Sequence, residues 1–425
     1  MASLRKIAII GAGPAGLTLA RLLHVSKPKI DLELYELDAS PTSRDKQGGT
    51  LDLHEDTGLA ALRKCGVWDA FQKHARYDGD ELIMADRNGT ELTHLKGGSG
   101  NRPEIDRKLL KEILLESLPE EVVKWGRKLR EVTEDGMLRF EGREEVEGPF
   151  DLVVGADGAW SNVRGKLTEV KPDYSGISGY EMEISSPGTS CPELNKSIGR
   201  GSRFGFSDRK ALNAQRMGDG SVKVRSWFAC PEGEVKTVLE KHGKKATLEK
   251  ILGRYEGWAL EMTEILRQAD LETLRCWTCY ELPVGCKWEH KKGFTLIGDA
   301  SSLTAPFSAE GVNKAMKDAL ELAKLIGKSQ DPNNELTLDQ AVLEYEHLMF
   351  PRAGKLQVAT MSNKQIIFSS DTPATLISGM VKIKASESSS IFMKIGTRPL
   401  VALAYCYFWI RIQIGWAVRR LWRRT

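Results

Sequence analysis

The sequence predicts an α/β fold: a sheet of parallel strands with helices, an inserted antiparallel sheet, and a helical C-terminal region. Three observations carry this. The apolar run Ile7 to Ile10 leads into Gly11-Ala12-Gly13-Pro14-Ala15-Gly16, after which Leu17, Ala20 and Leu23 recur at helical spacing. Between about 170 and 290 the pattern shifts to short alternating segments, such as Ser221 to Phe228 after the turn Gly218-Asp219-Gly220, as in antiparallel sheet. A buried strand then returns at Phe294 to Ile297, followed by a helix with apolar Val312, Ala315, Met316, Ala319, Leu320 and Ala323.

The remaining elements follow in order. Ile30, Leu32 and Leu34 alternate with polar neighbours and end at Glu36, which predicts a second strand. A helix is expected after His54, with Leu59 and Leu62 on one face and Gly66 as its stop. Another begins near Asp106, its expected cap, and carries Leu109, Leu110, Ile113, Leu114 and Leu118. Thr337 and Gln340 have the spacing of a capping box for a further helix.

With 425 residues the chain is long enough for about two or three domains and needs no disulfides to fold. Its 41% hydrophobic and 28% charged residues exclude a disordered or collagen-like chain. Seven irregularly spaced cysteines argue for reduced thiols and an intracellular, cytoplasmic setting. The first apolar run is too short for a secretory signal. The segment from Arg398 onward holds six arginines and no acid; removing them from the net charge of +3 leaves −3 on the body. A nucleic-acid binder would carry its basic residues on the body, so nucleic acid is excluded as a partner.

Three segments carry chemistry. In the first, Gly11 permits a tight turn, Gly13 lets a pyrophosphate approach the backbone, and Gly16 allows helix and strand to pack closely. Glu36, twenty residues beyond Gly16 at a strand end, suits the hydroxyls of a ribose. This pattern indicates a dinucleotide, FAD or NAD, without choosing between them. The second segment runs from Asp151 through Gly155-Ala156-Asp157-Gly158 to Ser161 and Arg164. In the third, a strand ends at Gly298-Asp299-Ala300 and is followed by Pro306, Gly311, Asn313 and Asp318. Asp299 could accept from a polyol hydroxyl, and backbone amides near Gly311 to Asn313 could stabilise negative charge on a ring.

In this order and at these distances, the three segments resemble the class A flavoprotein monooxygenases, the para-hydroxybenzoate hydroxylase-like group. Gln47-Gly48-Gly49-Thr50-Leu51-Asp52-Leu53-His54, with Pro103-Glu104-Ile105-Asp106-Arg107, is similar to the tetracycline-degrading branch and its relatives in secondary metabolism. The resemblance spans roughly residues 5 to 350 and is thin over 170–290. It implies a FAD-binding Rossmann-like domain of the glutathione-reductase type. Gly11, Gly13, Ala15 and Gly16 would hold the adenosine diphosphate and Glu36 the ribose. The Asp157 segment would serve FAD and NAD(P)H, and Asp299 would contact the ribityl chain. Gly49, Asp52 and Arg107, with Gly311, Val312 and Asn313, would complete the flavin site. The family's arginine before Gly-Gly-Thr has no match in register, since Asp45 stands there and Arg44 lies one residue earlier. Two further departures are Ser301-Ser302, where the family has Ala-His, and Glu310, where it has a small residue or glutamine.

The implied activity is oxygenation, by hydroxylation or epoxidation, of an aromatic or polycyclic metabolite through a flavin C4a-hydroperoxide, with NADPH or NADH and O2 as co-substrates. The alternatives are a flavin oxidase or dehydrogenase on the same scaffold, or a non-catalytic escort protein for prenylated GTPases. The expected divisions are 1–170, first part of the FAD domain; 171–290, the substrate sheet roofing the site; 291–368, completion of the FAD domain; 369–398, a linker; and 399–425, an apolar and basic helix. No metal is expected: Cys276-Trp-Thr-Cys279 falls in a strand that turns these cysteines to opposite faces. Pro399 to Ile410 is uncharged and arginines follow, a pattern for a helix that lies on anionic lipid or packs on the protein's own body. A monomer is expected.

Overall fold

The computed structural model describes residues 5–26, 30–43, 48–98, 100, 102–372, 374–375 and 407. Arg44, Asp45 and Gln47, most of the expected linker, and the tail 399–425 apart from Tyr407 lie outside them. The chain divides into two compact units, 1–77 with 99–175 and 280–360, and 78–98 with 176–279 and 361–425.

The first unit is built on five parallel strands. They include β1 (Lys6–Ile10), β2 (Asp31–Tyr35), and, beyond β3 (Thr50–Asp52) and β4 (Glu104–Asp106), β5 (Val123–Lys124), β6 (Leu152–Gly155) and β7 (Phe294–Leu296). Their spatial order is β7-β6-β1-β2-β5. Ile7, Ala8 and Ile9 are fully buried, as the middle strand of a sheet covered on both faces must be. β3 and β4 pair separately and antiparallel, Thr50 opposite Asp106 and Asp52 opposite Glu104. Its helices include α1 (Pro14–Val25), α2 (Ala60–Cys65) and α3 (Arg107–Glu116). Two longer ones follow β7: α4 (Gly311–Ser329), and α5 (Leu338–Ile367), which continues into the second unit's share of the chain.

Local signals place several of these ends. Pro14 opens α1, where its missing N–H costs nothing. α2 ends at Gly66, at φ +70°, as expected, but a π-helical turn, Glu55–Leu59, precedes it. At the start of α5 the Thr337 N–H donates to Gln340 Oε1 (2.9 Å) and the Gln340 N–H to Thr337 Oγ1 (3.2 Å), the reciprocal pair read from the spacing. Asp106 takes the N-cap position of α3 with extended backbone, yet its side chain makes no cap hydrogen bond to the helix. The capping role expected for it is corrected.

The second unit contains a seven-stranded sheet in the order Asp270–Glu281, Asp173–Ile184, Val222–Ala229, Lys210–Arg216, Ser202–Ser207, Leu82–Ala85 and Glu91–Leu95. The Ser202–Ser207 strand pairs parallel with Leu82–Ala85. The sheet therefore extends beyond the alternating 170–290 region and takes two strands from upstream. Tyr180, Met182, Ile184, Leu212, Val222, Val224 and Phe228 share a core with Tyr255, Trp258, Met262 and Leu266 from the helical region 234–267.

Candidate active site

Three glycine turns lie at the carboxyl ends of three adjacent parallel strands: Gly11 after β1, Ala156 after β6 and Gly298 after β7. The glycines of the first turn do different work. Gly11 sits at φ +107°, and a Cβ there would lie 2.4 Å from the Ala156 carbonyl oxygen. A Cβ on Gly16 would lie 1.9 Å from the Gly11 carbonyl oxygen, so α1 can close on β1 only with glycine there. Around Gly13 nothing stands within 4 Å of a Cβ, and the start of α1 is open at this point. At the end of β2, buried Glu36 accepts the Ala12 N–H (2.6 Å) and the Asp38 N–H (2.9 Å), which fixes its carboxylate beside the first turn.

The second and third turns are cross-linked to each other and to the first. Arg164, 3% exposed, donates from Nη1 to the Ala300 carbonyl (3.0 Å) and from Nη2 to the Ala159 carbonyl (2.5 Å). Asp157 Oδ2 accepts the Asn162 N–H (2.8 Å), while its Oδ1 is buried without a hydrogen-bond partner among the described residues. Burial pushes the Asp157 carboxyl above its ordinary range, against the lowering effect of Ser161 and the backbone amides of Asp157, Asn162 and Val163. Gly298 is at φ +62°, and a Cβ there would come within 3.1 Å of Ala15 Cβ. The Gly298 N–H donates to Asp318 Oδ2 (2.9 Å), and Lys314 Nζ donates to the Gly298 carbonyl (2.8 Å) and to Ser301 Oγ (2.5 Å). Lys314 also pairs with Asp318 at 2.7 Å, and Arg352 Nη2 donates to the other oxygen of Asp318 (2.8 Å).

Asp299, between buried Gly298 and Ala300, is exposed to solvent. Desolvation by the surrounding protein pushes its carboxyl above the ordinary range, while Lys314 and then Arg107 pull it down. Arg107 donates its N–H to the Gly49 carbonyl (3.1 Å), and its Cδ would meet a Cβ on Gly48 at 2.8 Å. Asn313 ties the β3 segment to α4: its Oδ1 accepts the His54 N–H (2.9 Å) and its Nδ2 donates to the Asp52 carbonyl (2.9 Å). Gly311 opens α4, and Val312 is buried against the first unit's core. The expected site residues other than Arg44 thus all fall in the first unit and cluster around these strand ends and the start of α4.

Several contacts around these residues could not be read from the sequence. Glu310 bonds to His54, whose other ring nitrogen meets Asp52. Under Gly298, buried Lys314 and half-buried Arg352 share the buried Asp318 carboxylate, and Arg352 also pairs with Glu321. The i,i+4 pairs Lys314/Asp318 and Lys317/Glu321 were visible as opposite charges on one helix; their partner Arg352 was not.

An open approach at Gly13, a partnerless buried oxygen on Asp157 and an exposed carboxylate at Asp299 suit a ligand laid across the strand ends from the start of α1 to the start of α4. The fold and this site define a dinucleotide-binding flavoprotein. Residues 5–183 match the family of the FAD binding domain. The chain is 31% identical to the monooxygenase asqM of Emericella nidulans over 86% of its own length and 96% of that protein's. Its fold is similar to that of HpxO of Klebsiella pneumoniae complexed with FAD and uric acid, with a TM-score of 0.71 and 19% identity over 94% of this chain and 97% of the other. It is likewise similar to the tetracycline destructase Tet(51), with a TM-score of 0.65 and 18% identity over 93% and 98%. This chain belongs to the class A FAD-dependent monooxygenases. It is an oxidoreductase whose cofactor is FAD and whose co-substrate is NAD(P)H. Among the described residues no helix is long and apolar enough to cross a membrane.

Proposed function

We propose that this enzyme places one oxygen atom on an electron-rich carbon of an aromatic or polycyclic metabolite, with FAD held by the three strand-end turns. The observation that carries the reading is the adjacency of those turns on β1, β6 and β7. In the reading, the open backbone at Gly13 and the start of α1 take the pyrophosphate, and Glu36 takes the adenosine ribose. Asp157 and Asp299 accept from hydroxyls of the chain that joins the two halves. Gly49, Asp52 and Arg107 line the flavin end, and the amides of Gly311, Val312 and Asn313 at the start of α4 balance negative charge on the ring. Arg44 is assigned to the NAD(P)H side by its place before Gly48-Gly49.

When bound, FAD accepts hydride from NAD(P)H and activates O2. Overall, NAD(P)H, O2, a proton and the substrate give NAD(P)+, water and the oxygenated product. The protein's share is to bind, orient and exclude water, which explains why no acid–base triad is needed. Substrate recognition is assigned to the second unit. On the sheet face opposite its core, Phe204 and Phe206 stack with centroids 5.5 Å apart, and Trp227 lies two strands away in register with Phe206. On the same face Asn213 is 5% exposed, and its Oδ1 has no hydrogen-bond partner among the described residues, leaving it available to a substrate O–H or N–H. These groups favour a flat aromatic molecule with a polar hydrogen.

The test is substrate-stimulated NAD(P)H oxidation under 18O2. The reading expects one labelled oxygen atom in the product. Label only in hydrogen peroxide, with a substrate that is desaturated or dehydrogenated, would make the enzyme an oxidase.

A further inference from the structure

Both ring nitrogens of His54 face a carboxylate. Nε2 lies 2.9 Å from Asp52 Oδ2, and Nδ1 lies 3.3 Å from Glu310 Oε1. Neutral imidazole has one N–H, so it can satisfy only one of these carboxylates and must point a lone pair at the other. Imidazolium satisfies both. The arrangement therefore selects the cation, and the His54 ring is pushed up to about 9 by its hydrogen bonds to Asp52 and Glu310.

The bridge joins two segments far apart in sequence. Asp52 ends β3, whereas Glu310 is the residue before α4. Asn313 makes neutral hydrogen bonds between the same segments, and these do not respond to pH. Glu310 also follows Ala309, whose φ of +57° places a side-chain-bearing residue in the left-handed region. Such a conformation is unfavourable for a residue that carries a Cβ and persists only where its surroundings hold it. The ionic bond that Glu310 makes is one such hold.

We infer that Asp52, His54 and Glu310 form a proton-dependent clamp in which His54 acts as a positioning residue, holding the start of α4 against the β3 segment and so closing the flavin end of the FAD cradle. The inference rests on the proposed placement of FAD. Deprotonation leaves two carboxylates facing a ring that can donate to only one of them, and the end of the cradle that contains Gly311 to Asn313 loosens. The clamp's contribution is complete below the ordinary histidine value of 6.5 and is lost as pH rises through about 9.

Other charges on the elements packed around His54 have their own places. Glu55 pairs with Arg63, and Lys317 Nζ donates to the Asp56 carbonyl and pairs with Glu321. Lys314 is bound to Asp318, while Asp106 and Arg107 lie at the junction of β4 and α3. Glu104 is bound to Arg76 and Thr50, and burial, with Asp52 adding to it, pushes it up to about 7. Its titration falls below that of His54, so the two can be separated.

The experiment measures the FAD dissociation constant of the full chain by flavin fluorescence across about pH 6 to pH 9.5, with an NMR titration of the His54 ring alongside. For wild type, the dissociation constant should rise up to about fourfold between about pH 8 and pH 9.5, the most that one proton with a midpoint of about 9 allows in that range. Glu310→Gln keeps a hydrogen-bond acceptor but removes one charge, so both the rise and the NMR midpoint should move to lower pH. His54→Gln should remove the step and bind FAD at pH 7 as weakly as wild type does at high pH. An unchanged midpoint and profile in Glu310→Gln would overturn the clamp, and that variant decides the matter should His54→Gln fail to fold. If wild type bound no FAD at any pH, the cofactor placement would fail and the clamp on FAD with it, whereas a pH-flat wild-type constant would sink the clamp alone.

Discussion

Arg164 Nη1 donates a 3.0 Å hydrogen bond to the carbonyl of Ala300, and so binds the turn after β6 to the turn after β7. Parallel strands present their carboxyl ends side by side, but the loops that follow are free to diverge unless something holds them. Arg164 does so from a position almost fully shielded from water, with a second bond to the Ala159 carbonyl.

Arg164→Lys keeps the charge and loses the planar fork, so one of the two carbonyls is left without its donor. An unsatisfied buried acceptor costs about 1–3 kcal/mol. The variant should lose that much stability in urea unfolding and should bind FAD more weakly. Unchanged values for both would show that the two turns hold their spacing without this side chain.

Gly13 and Gly16 separate ligand approach from packing. A methyl on Gly16 would strike the Gly11 carbonyl, so Gly16→Ala should destabilise the apoprotein by about 1–3 kcal/mol or more as α1 is pushed off β1. A methyl on Gly13 meets no protein atom. Gly13→Ala should melt at the wild-type temperature as apoprotein and fail to retain FAD. Thermal melts of both apoproteins, with flavin binding, check this; equal losses of stability would contradict it.

Lys314→Met removes one partner from a buried charge network in which Asp318 keeps Arg352. The loss should fall at or below about 3 kcal/mol, the low end of the cost of breaking a buried pair. Because Lys314 also donates to the Gly298 carbonyl, FAD affinity should fall with it. Calorimetry and flavin titration would measure both; a more stable variant with wild-type affinity would show the network to be dispensable.

Much of the fold was legible because its signals are local. The run Ile7 to Ile10, the glycines after it and Glu36 at the next strand end each act within a few residues of themselves, and the structure places them as read. The Thr337–Gln340 box is equally local. What stayed hidden depends on tertiary neighbours. Nothing near Leu82–Ala85 says that it pairs with Ser202–Ser207, since strand pairing across a hundred residues leaves no spacing to read. Glu310 stood out as an odd residue, but only the folded chain brings it to His54. Nothing in the residues around Arg352 ties it to Asp318; only the path of α5 brings the two together. Asp106 shows the converse: the residue type suited a cap, and the side chain does not make the bond.

The most direct measurement of the central claim is flavin retention by wild type and Asp299→Ala, followed by visible absorption through exhaustive dialysis. Asp299 stands at the end of β7 with its carboxylate open to solvent. Losing a charged hydrogen-bonding partner of about 1.5–3 kcal/mol should weaken FAD binding about 10- to 150-fold. The account predicts a yellow wild-type protein and a variant that turns colourless on dialysis. A variant that keeps its colour as long as wild type would contradict the placement of FAD across these strand ends.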